Sequence, residues 1–270
     1  MATDQPTGTS VDTRPRIHLE GVAKSFNGRT VVDVEQLTLG DHPIEGLIGP
    51  NGAGKTTLMR LIMHSASLDR GTVTFYPNGP DSEPVTLSET PPHRMAHLGV
   101  VKSNQVIMDF DKLTVLDSLL LAAASTDHER GYRLFNENEV YGNARSEIDW
   151  YLDRFDFEDP LGHARSAGEK KLLDIIRCLL LRPRLLLLDE PTAGLPDEIR
   201  DRLTEVLKEK CEQTGMSVIV VEHDLSVIWT LSHFVHFMAE GSVILQGDPE
   251  WIRQHDTVIE KYLGSEHVGD

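Results

Sequence analysis

The residues Gly49-Pro50-Asn51-Gly52-Ala53-Gly54-Lys55-Thr56 set glycines through a short segment that ends in a lysine and a hydroxyl residue. Glycines let the backbone turn tightly enough for successive N–H groups to point at one ligand, and a helix opening at Lys55 adds the positive end of its dipole. Lys55 supplies a point charge suited to the β- and γ-phosphates of a nucleotide, and the Thr56 hydroxyl suits Mg2+. A second pattern, Leu185-Leu186-Leu187-Leu188-Asp189-Glu190, ends an apolar strand in two carboxylates. In a parallel sheet such a strand delivers its acids to the carboxyl edge, where ligands bind. There Asp189 would hold Mg2+ through water and Glu190 would polarise an attacking water.

These groups need elements that bring them to one edge. Gly46-Leu47-Ile48 is a short apolar run leading into the glycine-rich loop, and a helix is expected over 55–64. Apolar residues alternate or cluster over 17–26 and 31–39 around Asn27-Gly28, which predicts an antiparallel hairpin. Short strands and turns follow over 69–86, and Gly99-Val100-Val101 is a further strand. Over 113–157 the apolar residues Leu116, Leu119, Leu120 and Ala123, then Ile148, Tyr151, Leu152 and Phe155, recur at helical spacing. This stretch reads as a mainly helical insertion. A broad apolar helix face is expected from near Lys170, a strand over 185–188, a helix over 198–211, a strand over 218–221, and a late hairpin from 234–238 and 243–245. His93 and His97 are expected on a helix, as part of a solvated face. Continuous apolar runs alternating with helices imply α/β architecture with a mostly parallel sheet covered on both faces.

Composition limits the partners. The chain has 270 residues, 39% hydrophobic and 26% charged, as in a globular protein of one large or two small domains. No apolar run approaches the roughly 20 residues of a membrane span, and no apolar segment follows a basic one near Met1, so the chain is expected to stay in the cytoplasm. A formal net charge of -17 repels phosphate backbones, so nucleic acid is not an expected partner. That acidity fits either ordinary solubility or a salt-rich host. Cys178 and Cys211 have no C-x-x-C spacing and read as buried or free thiols of a reducing compartment. No guanine-reading Asn-Lys-x-Asp is present, and no pair of histidines at ligand spacing stands beside other metal ligands.

Taken in order, the motifs resemble the nucleotide-binding subunits of ABC transporters over roughly 17–264. The resemblance implies a P-loop NTPase core with an N-terminal antiparallel β subdomain and a helical subdomain inserted at about 105–165. Tails would occupy 1–15 and 265–270, around an ATPase domain of 16–264. It implies ATP held by Gly49, Asn51, Gly52, Gly54, Lys55, Thr56 and Thr57, with adenine stacked on Phe26. Mg2+ would be held by Thr56, Gln105 and Asp189. Glu190 would serve the attacking water, Gln105 would touch that water and link the site to the membrane partner, and His223 would contact the γ-phosphate. Read alone, Phe26 in a strand and His223 after one are also ordinary core positions.

The family signature Leu-Ser-Gly-Gly-Gln stands here as Arg165-Ser166-Ala167-Gly168-Glu169, retaining Ser166 and Gly168 to face a partner subunit's γ-phosphate. Glu169 would repel that phosphate, and Lys170 and Lys171 would offset the repulsion. The following loop reads Ala193-Gly194-Leu195-Pro196, with Asp197 one place later than in the family. The implied partners are a second ATP-binding subunit, identical or paralogous, integral membrane permease subunits and, indirectly, a substrate-binding protein. The chain would then lie peripherally on the cytoplasmic face of the cell membrane. Ala193-Gly194-Leu195, Val221-Glu222-His223-Asp224 and Val258-Ile259-Glu260-Lys261-Tyr262-Leu263-Gly264 are similar to importer ATPases for branched-chain and hydrophobic amino acids and urea. The altered signature leaves a second reading open, a regulatory subunit with weak hydrolysis working in a heterodimer.

Overall fold

In the computed structural model the described residues are 13–103, 113–127, 137–157, 159–164 and 166–266. The alternating segments near the start pair as expected. Strands β1 (Arg16–Phe26) and β2 (Arg29–Leu39) run antiparallel, and Asn27 and Gly28, with φ of 50° and 78°, make the turn whose twist matches the strands. After β3 (Ile44–Ile48) and helix α1 (Lys55–Ile62), β4 (Arg70–Tyr76) and β5 (Val85–Thr86) complete a four-stranded sheet in the order β2-β1-β4-β5. Helix α1 stops two residues before the expected end. His64 adopts a left-handed φ of 49°, which closes the helix.

The remaining strands are β6 (Val100–Lys102), β7 (Leu185–Asp189), β8 (Ser217–Val221), β9 (Phe234–Ala239) and β10 (Ser242–Gly247). They join β3 in a second sheet of order β10-β9-β3-β8-β7-β6, in which only β10 is antiparallel to its neighbour. Leu185 and Leu187 of β7 face one core while Leu186 and Leu188 face another. In β8, Ile219 and Val221 face the first core and Val218 and Val220 the second. The continuous apolar runs therefore follow from inner strands that are covered on both faces. One core lies between this sheet, α1 and the antiparallel sheet. The other is built with helices α2 (Val115–Asp127), α3 (Glu137–Arg154), α4 (Ala167–Leu180), α5 (Asp197–Thr214), α6 (Leu225–Leu231), α7 (Pro249–Arg253) and α8 (Asp256–Glu266).

Two expectations need correction. Helix α4 opens three residues before Lys170, because Ser166 and Glu169 form a capping box: the Ser166 hydroxyl accepts from Glu169 N and the Glu169 carboxylate from Ser166 N, both at 3.0 Å. His93 and His97 do not share a helix. They lie exposed on two separate 3-10 turns, Pro92–Arg94 and Ala96–Leu98, the second closed by Gly99 at a φ of 83°. Cys178 and Cys211 are buried free thiols, as read.

A buried Glu45–His236 hydrogen bond joins β3 to β9 in the second sheet. Glu45 accepts from His236 Nε2 at 2.9 Å and from the His42 amide at 2.9 Å. Burial raises the Glu45 pKa, but the hydrogen bonds from His236 and His42 outweigh it and hold the group at about 2, below its ordinary 4.5. A depressed acid stabilises the fold above its unfolded pKa, and that contribution is lost as the pH falls through the folded value. Between pH 5 and pH 2 the protein is expected to lose about 3 kcal/mol more unfolding free energy than Glu45→Gln. Urea titrations across that range decide it; parallel losses in both proteins would remove Glu45 from the acid response.

Candidate active site

Strand register brings the separate motifs together. Leu47 of β3 and Asp189 of β7 both pair with Val221 of β8, so these three parallel strands end level. The loops that leave them, 49–54, 190–196 and 222–224, open on one edge.

The first loop is pressed against neighbouring backbone. A Cβ on Gly49 would lie 1.9 Å from the Met238 carbonyl, and one on Gly54 would lie 2.5 Å from the Val31 carbonyl. Only glycine fits at either position. Gly54 caps α1 with no side-chain hydrogen bond, and the first turn carries no acid. The amides there are left for an anion, and Asn51, Gly52, Thr56 and Thr57 keep exposed or partly exposed surface. Lys55 is buried, its Nζ donating to Gly49 O at 2.6 Å and Pro50 O at 3.2 Å. Burial lowers its pKa, and Glu190 and Asp189 oppose that shift, so the lysine lies within electrostatic reach of both acids.

Asp189 is 0% exposed and held on several sides. Its amide donates to Ser103 Oγ at 3.2 Å, its carbonyl accepts from Lys171 Nζ at 2.8 Å, and its Oδ2 pairs with Lys102 Nζ at 3.2 Å. Oδ1 is buried with no hydrogen-bond partner among the described residues. An orphaned carboxylate oxygen is costly in a closed interior unless a ligand meets it. Lys171 is thus corrected: it is a buried support for β7, not a surface charge that offsets Glu169. Lys102 and Ser103 were missed, since nothing local in Val101-Lys102-Ser103 announces a contact with β7.

Glu190 has a left-handed φ of 52°, an uncommon conformation for a residue other than glycine. Its amide donates to Val221 O at 2.8 Å, and its Oε1 lies 3.0 Å from His223 Nε2. His223 is 46% exposed and Phe26 is 49% exposed, so neither fills a core. Phe26 ends β1, with Lys24 Nζ 5.4 Å from its ring centroid, and Val31 of the same hairpin touches Gly54. Gln105 and Arg165 lie outside the described residues. The Ser166 hydroxyl is engaged in capping α4. A Cβ on Gly168 would approach Gly194 O to 2.8 Å, so the first turn of α4 rests on the loop that follows β7. Gly168→Ala is expected to cost about 1–3 kcal/mol of stability by overpacking, read as a lower urea midpoint. An unchanged midpoint would mean that the loop yields freely.

The profile of the ABC transporter family matches residues 33–193. The chain belongs to the ABC transporter family. This ABC ATPase binds and hydrolyses ATP as the nucleotide-binding subunit of a transporter. It is 30% identical to a probable branched-chain amino acid transport ATP-binding protein LivG of Archaeoglobus fulgidus, over 93% of this chain and 96% of the relative. BraF of Pseudomonas aeruginosa, a high-affinity branched-chain amino acid transport ATP-binding protein, is 28% identical over 93% and 98%. The lipopolysaccharide export ATP-binding protein LptB of Haemophilus influenzae is also 28% identical, over 92% and 96%. Among solved structures, an ATP-binding cassette of an ABC transporter in its ADP conformation superposes with a TM-score of 0.73 at 23% identity, covering 93% of this chain and 100% of that one. A dimeric cassette in a post-hydrolysis state, bound to ADP and Pi, gives 0.67 at 20% identity, over 86% and 98%. These structures establish the fold: a parallel-sheet core with an antiparallel sheet and helices.

Proposed function

We propose that this ABC ATPase powers an importer of branched-chain or other hydrophobic amino acids, or of urea-like small solutes. The observation that carries its chemistry is the Glu190–His223 pair, 3.0 Å apart on the edge shared with Lys55 and Asp189. The phosphates of ATP lie on the loop of Gly49, Asn51, Gly52, Gly54, Lys55, Thr56 and Thr57, and the adenine lies on Phe26. Lys55 exchanges the carbonyls of its own loop for phosphate oxygens. Glu190 accepts the proton of the attacking water, and His223 orients that carboxylate and meets the γ-phosphate.

The residues present fit Mg2+. Asp189 Oδ1 is without a protein partner among the described residues, and Thr56 offers a hydroxyl at the start of α1, with Gln105 as a third group. The ion, when bound, neutralises charge on the phosphates.

Two such subunits, identical or paralogous, close head to tail on ATP, each nucleotide lying between one phosphate loop and the Ser166–Gly168 turn of the opposite copy. Closure drives integral membrane permease subunits from the cytoplasmic face, and a substrate-binding protein delivers the cargo. Among the described residues no helix is long and apolar enough to cross a membrane. The cargo class draws on the relatives named for branched-chain amino acid transport. Vesicles containing this chain, its paralogous partner, permease and binding protein are expected to accumulate labelled leucine when ATP is supplied on the ATPase side. Accumulation of urea alone would reassign the cargo, and lipid extraction without uptake would replace import with export, as LptB's name describes.

The Glu169 carboxylate beside Ser166 favours a second reading, in which this chain is the regulatory, weakly hydrolysing member of a heterodimer. Steady-state hydrolysis by the chain alone and with the paralogue separates the two readings. Full activity alone would dismiss the second.

A further inference from the structure

We propose that Glu222 is a positioning residue that sets the Glu190–His223 geometry by tying together the two loops that carry this pair. The inference rests on the catalytic reading of Glu190 and His223 given above. Glu222 is buried at the end of β8 and is not itself placed against the nucleotide. Its Oε1 accepts from Thr192 N at 2.8 Å and from Thr192 Oγ1 at 2.6 Å, and its Oε2 accepts from His223 N at 3.2 Å. One carboxylate thus joins the loop after β7 to the loop after β8. Thr192 lies two residues beyond Glu190, and Glu190 N is fastened to Val221 O at 2.8 Å. The base is held from both sides of its turn, and His223 is held to the same anchor.

The chemistry of the anchor is specific. All three partners are donors, and a carboxylate offers only acceptors. A glutamine of the same size has one acceptor oxygen and one NH2. Whichever way it turns, a donor faces either the Thr192 pair or the His223 amide. One loop is released while the volume is kept. Small displacements of a catalytic pair are amplified in the rate, up to about a hundredfold for 1 Å.

The test is single-turnover and steady-state ATP hydrolysis by the full chain carrying Glu222→Gln, His223→Ala, or both. Glu222→Gln is expected to lower kcat about tenfold while KM for ATP changes less than about twofold. In the His223→Ala background the same substitution is expected to change the single-turnover rate less than about twofold, because what Glu222 sets is the position of Glu190 relative to the His223 ring, and that relation is gone once the imidazole is removed. Unaltered kcat in Glu222→Gln, or an equal loss in both backgrounds, would overturn the proposal. If Glu222→Gln does not fold, Thr192→Val decides in its place. It removes only the hydroxyl donor and is expected to give a smaller kcat loss that disappears with His223→Ala; no loss, or the same loss in both backgrounds, overturns the assignment. Glu190→Gln serves as the control. Full turnover in that variant removes the catalytic reading underneath, whereas its loss beside normal Glu222→Gln turnover removes only the role of Glu222.

Discussion

Glu190→Gln is expected to lower ATP turnover by about a hundredfold to a thousandfold while leaving ATP binding intact. Glutamine matches the size of the carboxylate and still hydrogen-bonds His223, but it does not take a proton from water at neutral pH. Because the left-handed turn and its amide bond to Val221 O involve the backbone, the loop keeps its course. The variant is therefore expected to hold ATP and, if closure is ATP-driven, to accumulate as a closed dimer. Phosphate release and light scattering with ATP and Mg2+ measure the two effects. Unchanged turnover would move the base elsewhere and leave the 3.0 Å Glu190–His223 contact without a catalytic role.

Lys55→Ala is expected to weaken ATP binding about a hundredfold, near 3 kcal/mol, the scale of charge-assisted hydrogen bonds to phosphate. The lysine is buried in a loop that holds its charge against two carbonyls, and the nearby acids repel a bare triphosphate. Without it, the loop amides and the end of α1 are left to oppose that repulsion. Arginine is not expected to rescue, since the planar guanidinium is larger than the ammonium enclosed there. Titration with a fluorescent ATP analogue, with and without Mg2+, reads the change. An unaltered dissociation constant would show that the loop amides alone carry the phosphates.

Much of the fold was legible because its signals are local. Asn27-Gly28 between alternating strands makes a hairpin wherever it stands, and the leucine run before Asp189 has no use for a wet face. The phosphate loop is likewise a property of consecutive residues, with glycine required where backbone from β2 and β9 closes on it. Helix α4 starts ahead of its apolar face because a second local signal, the Ser166–Glu169 capping box, sets its first turn. Phe26 and His223 each had a core alternative, and only their exposure in the folded chain removed it.

By itself, then, the chain order determined the two hairpins, the strands and helices around the phosphate loop and the carboxylates, which residues have the chemistry for a nucleotide, and that the apolar strands lie inside. Tertiary structure alone decided what supports those residues. Lys102 and Lys171 on Asp189, Glu222 between Thr192 and His223, and Glu45 against His236 join positions far apart in the chain. Periodicity tells a strand from a helix, but the register between strands is chosen by the packing of both cores together. A buried polar side chain takes whichever partner that register leaves within reach.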